Sequence, residues 1–370
     1  MLRLLLVLDV DAIVLLAEDG PFVAELRREG IAVEVVPMAE AGRGLRKERV
    51  RPGSVPLSSV IATASYTIRL AKRLRRLRPD LVHTNSLKSA LYGGVAGRLA
   101  RIPVVWHVRD RIASDYLPPG AVKLVRGAAK VLPAAVIANS EATMATLPPA
   151  SSRGIRRVVP SPVIYDSVDA TPQRTHVAQG TLRFGLVGRI APWKGQSVFL
   201  EAFARAFPAE PHQAVIVGGP LFGEDEEEYE RALHRQAAAL GISDRVEFTG
   251  HVNDVPRVLR GLDVLVHAST VSEPFGQVIL EGMVVGIPVV AANAGGPAEV
   301  ADHNVNALLY PPGDAAALAD CLVRLAADAR LRARLGRAGR KRARDFAPER
   351  VATQVMGLYR TLLNTPGSAG

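Results

Sequence analysis

At 370 residues, the chain is long enough for two α/β domains, since a single hydrophobic core rarely grows beyond about 250–300 residues. Its one cysteine, Cys321, excludes an internal disulfide and suits a reducing compartment. Asp9, Asp11 and Glu18 interrupt the leucine-rich start, so no apolar run reaches the roughly 20 residues that a membrane-spanning helix needs. We therefore expect a cytoplasmic protein, either soluble or peripheral at the inner membrane surface.

The net charge of +10 is concentrated in the first half of the chain. Residues 1–180 contain 26 Lys and Arg against 15 Asp and Glu, a balance of +11, whereas residues 181–370 contain 20 against 21. Nucleic acid is disfavoured as a partner, because only 5% of the residues are aromatic and no zinc-finger or RNA-binding signature is present. The excess charge instead indicates an anionic lipid surface or a phosphate-bearing ligand.

The segment 67–80, TIRLAKRLRRLRPD, has the period of an amphipathic helix with six basic residues. It is compatible with an ordinary surface helix, because arginine and lysine stems cover apolar surface while their charges stay in water. Contact with an anionic membrane is the alternative interpretation. The residues predicted to form its apolar side are Ile68, Leu70, Ala71, Leu74 and Leu77.

Short apolar runs alternate with amphipathic stretches along the whole chain, which predicts parallel sheets with crossover helices. The loops that leave the carboxyl ends of such strands are where these sheets bind ligands. The predicted strands are IAVEVVPM (31–38), DLVHTN (80–85), PVVWHV (103–108), AAVIANS (134–140), LRFGLVG (182–188), QAVIVGG (213–219), RVEFTG (245–250), DVLVHAS (263–269) and PVVAAN (288–293).

A polar, turn-rich stretch without apolar periodicity predicts the boundary between two domains. We expect an N-terminal domain over residues 1–165, a linker over 166–181 and a C-terminal domain over 182–346. The helix at 347–364 is expected to cross back to the N-terminal domain. The tail TPGSAG at 365–370 is expected to be disordered.

The segment GLVGRIAPWKG (185–195) reads as a buried strand, a glycine-containing turn and the start of a helix. Gly188 lets the backbone turn tightly. Arg189 and Lys194 then place two cations at the carboxyl end of the strand, where charge-assisted hydrogen bonds could hold diphosphate oxygens. A surface ion pair beside a structural turn is the alternative interpretation of this segment.

The segment 272–300, SEPFGQVILEGMVVGIPVVAANAGGPAEV, carries the strongest signal in the chain. Pro274 cannot lie deep in a helix, so a helix is predicted to begin at Phe275 or Gly276. Glu281 then lies four residues after Gln277, on the same face of the helix, where its carboxylate could accept hydrogen bonds from ribose hydroxyls. Glu273 lies in the preceding loop, within reach of sugar hydroxyls. The amides predicted to receive a phosphate at the helix start belong to Gly276, Gln277 and Val278.

These motifs resemble those of the large retaining glycosyltransferase family 4, which has the GT-B fold of two facing Rossmann-like domains with parallel sheets. Glu273 and Glu281 match the E-x7-E motif of the family, and Arg189 and Lys194 match its phosphate-binding pair. The segment GHVNDVP (250–256) is similar to the loop beside the nucleotide base, which the backbone of His251 and Val252 would contact. The motifs occur in the order and spacing of the family.

The resemblance also implies roles in the N-terminal half. His107 matches the histidine that contacts the donor sugar at the reacting centre, and it joins Glu273, Arg189 and Lys194 as an expected catalytic residue. Arg109, in the following loop, is an acceptor-side candidate. Asn85 and Ser86 end a neighbouring strand and are further acceptor-side candidates, although Ser86 could simply cap a helix.

The resemblance implies a retaining transferase that uses a nucleotide-diphosphate-sugar donor and a saccharide, lipid-linked or small-molecule acceptor. No cofactor and no metal are expected, because the only Asp-x-Asp, Asp9 and Asp11, lies away from the phosphate motifs. A glycoside hydrolase is disfavoured by the spacing of the two carboxylates. The catalytic carboxyl groups of such an enzyme lie roughly 5–9.5 Å apart, whereas the eight residues from Glu273 to Glu281 would span about 12 Å in a helix.

The first residues depart from the family pattern. The segment MLRLLLVLDVDAIVLLAEDGPF runs almost directly into the second strand of the family at 12–17, so the first strand and its glycine-rich loop are expected to be missing. Either the start of the chain is missing upstream of Met1, or the N-terminal sheet has lost its central first strand, which would expose sheet edges and remove part of the acceptor cleft. The alternative function is therefore a degenerate protein that binds a nucleotide sugar without transferring it. The linker also has Asp166 and Ser167 where the family has Asn and Gly.

Overall fold

The computed structural model describes residues 2–40, 57–149, 154–164, 180–221 and 223–364. It divides into two compact units. Unit 1 comprises Met1–Pro162 and Pro348–Gly370, and unit 2 comprises Val163–Ala347. The predicted linker falls almost wholly on residues 165–179, which lie outside the described residues together with Asp166, Ser167 and the tail at 365–370.

The described part of unit 1 contains two separate parallel sheets. Strands β1 (Ile13–Leu16) and β2 (Ala32–Val35) pair only with each other. The second sheet has the order β3-β4-β5-β6. Among the described residues, no ladder joins the first sheet to the second. The four strands of the second sheet are Val82–Thr84, Val104–Val108, Ala135–Ala138 and Ile155–Val158.

Helices connect the strands of unit 1, as expected for parallel pairing. Helix α4 (Leu87–Ala100) begins after a capping box in which the hydroxyl of Ser86 accepts from the amide of Ser89, and the hydroxyl of Ser89 accepts from the amide of Ser86. The helices before the second unit are α1 (Leu2–Val7), α2 (Pro21–Arg28), α3 (Leu57–Leu77), α4 (Leu87–Ala100), α5 (Pro119–Val131) and α6 (Glu141–Met144).

The basic segment 67–80 lies mostly in α3, and its apolar side differs in part from the prediction. Leu70, Ala71 and Leu74 are buried, but Ile68 is 50% exposed, because it lies away from the side that packs against the β1–β2 sheet and α4. Arg73 forms an ion pair with Glu34 of β2 at 2.7 Å. No described helix is long and apolar enough to cross a membrane.

Unit 2 contains a six-stranded parallel sheet with the order β12-β11-β10-β7-β8-β9. The chain therefore starts in the middle of the sheet, builds one half outward and returns to build the other half, which is the doubly wound arrangement. The strands are β7 (Arg183–Val187), β8 (Gln213–Val217), β9 (Val246–Phe248), β10 (Val264–His267), β11 (Val289–Ala292) and β12 (Leu308–Tyr310).

Both faces of this sheet are covered by helices, because its central strands are apolar on both sides. Phe184 and Leu186 of β7 belong to one buried cluster, whereas Leu265 of β10 belongs to a second cluster on the other face. The helices of unit 2 are α7 (Gln196–Ala206), α8 (Glu224–Ala239), α9 (Val255–Arg260), α10 (Gln277–Val285), α11 (Pro297–Val300), α12 (Ala315–Ala327) and α13 (Ala329–Ala343). The expected α/β class with parallel sheets is confirmed.

The last helix, α14 (Pro348–Asn364), packs within unit 1. It meets α1, which the sequence did not predict. Leu4 and Leu8 lie in one buried cluster with Val355 and Leu358 of α14. The leucine-rich start therefore forms part of a hydrophobic core instead of a strand.

The loop after β7 approaches the end of β10 so closely that position 195 requires glycine. Gly195 has a φ of 72°, and a Cβ there would lie 1.9 Å from the carbonyl oxygen of Ala268. Gly241 has a similar φ of 67° but no atom within 4 Å of such a Cβ. Substitutions at these two glycines therefore distinguish the free-energy cost of a positive φ alone from that of a positive φ combined with a steric clash.

We expect Gly195→Ala to lower the free energy of unfolding by about 3 kcal/mol or more, because left-handed strain and a backbone clash add together. Gly241→Ala should cost only about 1–2 kcal/mol, the strain alone. Differential scanning calorimetry of both variants checks this difference. Equal destabilisation by the two variants would show that the close approach at Ala268 is not maintained.

Candidate functional site

The site lies where the winding of the unit 2 sheet reverses, between the neighbouring strands β7 and β10. Loops leaving the carboxyl ends of these two strands diverge around a crevice, which is the usual ligand site of an open parallel sheet. A hydrogen bond of 2.9 Å from the amide of Thr270 to the carbonyl of Trp193 joins the two loops. The fold therefore brings the predicted motifs 185–195 and 272–300 together.

Glu273 is held by three side chains at this position. Its Oε1 lies 2.7 Å from Nζ of Lys194, and its Oε2 accepts from the Ser269 hydroxyl at 2.7 Å. Nε2 of His267 lies 2.6 Å from the same Oε2. Burial would by itself raise the pKa of Glu273, but the charges and hydrogen bonds of His267 and Lys194 outweigh it and hold that pKa well below its usual range.

His267 and Ser269 were missed by the sequence analysis. Both follow from the strand pattern, because the predicted strand DVLVHAS carries them at the carboxyl end of β10. His267 is 3% exposed, and its Nδ1 has no hydrogen-bond partner among the described residues. A buried polar residue at such a strand end was the available signal.

Lys194 and Arg189 both emerge from the turn that follows Gly188. The ammonium group of Lys194 lies 4.4 Å from the centre of the Trp193 ring, in addition to its ion pair with Glu273. The carbonyl of Arg189 accepts from the side-chain amide of Gln196, which is fully buried at the start of α7. The backbone of the turn is therefore fixed before any ligand binds.

The guanidinium of Arg189 lies 3.2 Å from a carboxylate oxygen of Glu226, at the start of α8. The other carboxylate oxygen of Glu226 accepts from the amide of Leu221 at 2.8 Å. This partner could not be selected from the sequence, because it is one of five consecutive acidic residues at 224–228. Arg189 thus stands beside an anionic group that a diphosphate could replace.

Helix α10 begins next to Glu273, as its sequence predicted. Gly276 is the N-cap residue with a φ of 83°, and the amide of Ile279 donates to its carbonyl at 3.0 Å. Gln277 and Val278 therefore form the first turn, where backbone amides lack intrahelical acceptors. The amide of Gly296 donates to the carbonyl of Glu273 at 2.9 Å, which fixes the loop before the helix.

Glu281 lies one turn into α10 and is half-buried. Within the described residues, it has no hydrogen bond or ion pair, and burial raises its pKa. A half-buried carboxylate without such partners costs stability. The two carboxylates of the predicted motif thus have opposite electrostatic environments.

The predicted base-binding loop lies beside the same crevice, after β9. Gly218, at the end of β8, donates its amide to the carbonyl of Gly250 at 3.0 Å. A Cβ at Gly219 would lie 3.6 Å from the amide nitrogen of His251. The His251 side chain is exposed, whereas Val252 is half-buried against the core.

Unit 1 contains a second polar cluster, at the carboxyl ends of β3 and β4. His107 is 1% exposed, and its Nδ1 lies 3.1 Å from Nε2 of His83. Nδ1 of His83 lies 2.7 Å from the hydroxyl of Tyr359 in α14. Desolvation, reinforced by the charge of Arg109, lowers the pKa of His83 to about 3 and the pKa of His107 well below its usual value.

The acceptor-side candidates meet in this second cluster. Nε of Arg109 donates to the side-chain oxygen of Asn85 at 2.9 Å, and its Nη1 donates to the hydroxyl of Ser161 at 2.9 Å. Ser86 is the N-cap residue of α4, so the capping alternative describes its contacts. His107 lies inside the sheet, whereas Arg109 extends from the end of β4.

Comparison with known proteins identifies the family. The family model "Glycosyltransferase Family 4" matches residues 22–164, and "Glycosyl transferases group 1" matches residues 168–342. The chain belongs to glycosyltransferase family 4. The expected GT-B fold class is confirmed by solved glycosyltransferase structures that match along almost the whole chain.

Curated relatives of this family 4 member align over part of their length. A D-inositol 3-phosphate glycosyltransferase of Salinispora tropica is 36% identical over 51% of this chain and 39% of the relative. A phosphatidyl-myo-inositol mannosyltransferase of Mycobacterium leprae is 33% identical over 57% of this chain and 54% of the relative. These alignments thus span about half or less of the relatives.

Two solved structures illustrate the similarity of the fold. Anabaena HepE in complex with UDP and glucose gives a TM-score of 0.81 at 26% identity, covering 97% of this chain and 94% of HepE. Sucrose-phosphate synthase of Thermosynechococcus elongatus gives 0.72 at 21% identity, covering 95% of each chain, and shows the fold alone.

The opposite environments of Glu273 and Glu281 predict opposite effects of neutralisation. Glu273→Gln should lower the free energy of unfolding at neutral pH by about 2 kcal/mol, because charge-assisted hydrogen bonds are lost. The pKa of Glu273 is depressed on folding, so its contribution is fully present above its unfolded value of about 4.3 and is lost as the pH falls through the depressed folded-state pKa. The stability gap between parent and variant should therefore narrow as the pH falls from 7 to 3.

Glu281→Gln is the matched control with the opposite sign. Folding raises the pKa of Glu281, so its carboxylate costs stability at neutral pH, and this cost disappears as the pH falls through the raised pKa. The variant should melt above the parent at pH 7 and at the same temperature in acid. Thermal unfolding of both variants from pH 7 to pH 3 checks this. Shifts of the same sign at pH 7 would contradict the assignment.

Proposed function

We propose that the chain is a retaining, metal-independent glycosyltransferase that moves a sugar from a nucleotide-diphosphate-sugar to a hydroxyl acceptor. The observation that carries the proposal is the Lys194–Glu273 ion pair at the reversal point of the unit 2 sheet, beside the start of α10. A cation, a carboxylate and a helix N-terminus at one strand edge match a ligand that joins an anionic diphosphate to a polar sugar.

The donor is bound by unit 2 in this proposal. Arg189 and Lys194 contact the diphosphate together with the first-turn amides of Gln277 and Val278, and Glu281 accepts from the ribose hydroxyls. The backbone at 251–252 borders the base. The complexes of HepE, a full-length relative at 26% identity, with UDP and with UDP-glucose support a uridine nucleotide as the first donor to test.

In the transfer step, the bond between the anomeric carbon and the diphosphate oxygen breaks, and the acceptor oxygen forms the new bond on the same face. The acceptor proton passes to an oxygen of the departing diphosphate, so no side-chain nucleophile is needed. Arg189 and Lys194 stabilise the negative charge that develops on that diphosphate. Glu273, which is ionised and held by three partners, orients the sugar hydroxyls.

His107 is proposed to contribute at the sugar as a neutral imidazole, because burial disfavours its protonated form. No divalent cation is required in this scheme, since the positive charge at the diphosphate comes from two side chains. Among the described residues, no group of three or more His, Cys, Asp and Glu side chains could hold a metal ion. The expected result is activity that survives a chelator.

The acceptor is proposed to meet unit 1 through Asn85, Ser86 and Arg109, and to be a saccharide, a lipid-linked saccharide or a small molecule. We further propose a cytoplasmic role in the assembly of a cell-surface polysaccharide, a glycolipid or a natural product. Relatives named for inositol phosphate and for phosphatidylinositol acceptors support this range.

A second candidate function is nucleotide-sugar binding without transfer. One observation favours it: within the described part of unit 1, β1 and β2 are not joined to the sheet formed by β3–β6. The two candidates differ in turnover alone, because each requires the donor site of unit 2. Binding of UDP-glucose without release of UDP would support the second candidate.

The donor site predicts a specific loss of activity. Arg189→Ala and Glu281→Ala should each reduce UDP release from UDP-glucose about 10²–10³-fold, as expected for loss of one preorganised contact to the transition state. Arg231→Ala is the matched control, because Arg231 is an exposed arginine of α8 that pairs with Glu228. A coupled assay for UDP, run with and without a chelator, measures the effect.

Several outcomes would contradict the proposal. Equal activity of Arg189→Ala, Glu281→Ala and Arg231→Ala would show that the donor does not bind in this crevice. Loss of activity on chelation would exclude the metal-independent scheme. If the chain used GDP-glucose or dTDP-glucose instead of UDP-glucose, the proposed donor site would be retained and only the assignment of the nucleotide base would change.

Contact with an anionic membrane is a separate proposal for α3. Lys72, Arg75 and Arg76 are exposed, and Ile61 and Ile68 on the same helix are 60% and 50% exposed. We expect the chain to sediment with vesicles of anionic phospholipid at low salt. The double variant Lys72→Glu/Arg76→Glu should bind them at least about 30-fold more weakly, since each of the two basic residues lost adds about 1 kcal/mol. Equal binding to neutral vesicles would contradict an electrostatic contact.

A further inference from the structure

The side chains of Tyr359, His83 and His107 form a hydrogen-bonded chain from the last helix of unit 1 to the end of β4. His83 lies opposite Val105 in the parallel register, and His107 follows Val105 by two residues, so both imidazoles leave the same face of the sheet. Helix α14 covers this face, because Val105 and Tyr359 belong to one buried cluster. The packing of α14 thereby brings the phenol of Tyr359 to the imidazole of His83.

All three groups of this chain are uncharged at neutral pH. The Tyr359 hydroxyl lies 2.7 Å from Nδ1 of His83, and Nε2 of His83 lies 3.1 Å from Nδ1 of His107. Burial, reinforced by the charge of Arg109, lowers the pKa of His83 to about 3 and the pKa of His107 well below its usual value. Burial also raises the pKa of Tyr359. Each imidazole therefore carries one proton, and the phenol keeps its own.

Two arrangements of these protons satisfy both hydrogen bonds. In the first arrangement, the Tyr359 hydroxyl donates to His83, Nε2 of His83 donates to His107, and the remaining proton of His107 is on its Nε2. In the second arrangement both hydrogen bonds are reversed, so that Nε2 of His107 has a lone pair and the proton of the Tyr359 hydroxyl points away from His83. The direction of the chain thus decides whether His107 presents a donor or an acceptor.

The number of polar groups left without a partner favours the first arrangement. Nε2 of His107 is buried and has no partner among the described residues, and the Tyr359 hydroxyl has no described partner except His83. The first arrangement leaves one group unsatisfied, the Nε2 proton of His107. The second leaves two, the Nε2 lone pair of His107 and the proton of the Tyr359 hydroxyl. Each buried group of this kind costs free energy, so the first arrangement is the more stable.

We infer that Tyr359 and His83 are positioning residues for His107, because together they fix its proton on Nε2 and so present this histidine to the donor sugar as a hydrogen-bond donor. The assignment of the sugar as the ligand rests on the proposed function. An N–H donor complements Glu273, whose ionised carboxylate only accepts from sugar hydroxyls. Helix α14 then has a role in the reaction besides its role in the core, although none of its residues contacts the substrate.

The position of the proton is measured directly by nuclear magnetic resonance of the full chain with 15N-labelled histidine. Two-bond correlations between ring protons and ring nitrogens identify the tautomer, and loss of signals in His107→Gln assigns them to His107. The parent should carry the His107 proton on Nε2. In Tyr359→Phe each arrangement leaves two nitrogen groups unsatisfied, so a mixture of both tautomers is expected. A proton on Nδ1 in the parent, or a tautomer unchanged by loss of the phenol, would overturn the inference.

Tyr359→Phe should lower kcat/KM for UDP-glucose about twofold, because about half of the molecules then have the proton on the competent nitrogen. UDP lacks the sugar, so its Kd should equal that of the parent, which also shows that the variant is folded. Tyr310→Phe is the matched control, because Tyr310 is buried and its hydroxyl has no partner among the described residues. An equal loss of activity in both variants would refute a specific role of Tyr359.

The role of His83 is tested by two variants of different hydrogen-bonding capacity. His83→Leu removes the donor to His107 and should lower kcat about tenfold, the lower end of the losses seen when a functional histidine loses the partner that orients it. His83→Gln keeps an amide that can donate to Nδ1 of His107 and should recover most of this activity. Equal loss of activity in the two variants, at similar melting temperatures, would indicate a packing role and contradict the inference.

The tautomer measurement needs no substrate, so it separates this inference from the proposed function. A Tyr359-dependent proton on Nε2 of His107 in a chain that does not turn over UDP-glucose would support the hydrogen-bonded chain and refute the proposed transfer. Turnover by the parent together with a His107 tautomer that is independent of Tyr359 would support the transfer and refute the positioning role.

Discussion

The ion pair between Lys194 and Glu273 joins the two loops from which the functional crevice of unit 2 is built. It depends on the order of the sheet, because only adjacent positions of β7 and β10 bring residues 79 apart in sequence within 2.7 Å. Gly195 permits the close approach, and His267 and Ser269 hold the other carboxylate oxygen. The carboxylate is therefore ionised and oriented before a ligand arrives, which lowers the cost of ordering it during binding.

Lys194, Arg189, Glu273 and Glu281 differ in their electrostatic surroundings. Lys194 and Arg189 are each paired with an acidic side chain, so neither presents a bare charge in the absence of a ligand. Glu281 has no such partner within the described structure and is destabilised by burial. Such a local cost is common where a residue serves a ligand more than the fold.

The sequence predicted most of the described strands, the two motifs and the start of α10, because buried strands, glycine turns and proline positions leave strong local patterns. It did not predict β6 and β12. It did not predict Glu226, which is one of five equivalent acidic residues until the fold selects it. Helix α1 was missed because a leucine-rich hexapeptide has no distinctive period; its core packing depends on α14, more than 300 residues away. The contacts of Arg109 with Asn85 and Ser161 are long-range in the same way.

The central claim is that the crevice between β7 and β10 binds a nucleotide-diphosphate-sugar through the residues of the Lys194–Glu273 pair. A crystal structure of the chain with UDP-glucose tests it most directly. The diphosphate is predicted to lie at the start of α10 within hydrogen-bond distance of Lys194 and Arg189, with the ribose hydroxyls on Glu281 and the glucose hydroxyls on Glu273. A nucleotide bound elsewhere, or one whose diphosphate contacts neither Lys194 nor Arg189, would contradict the account.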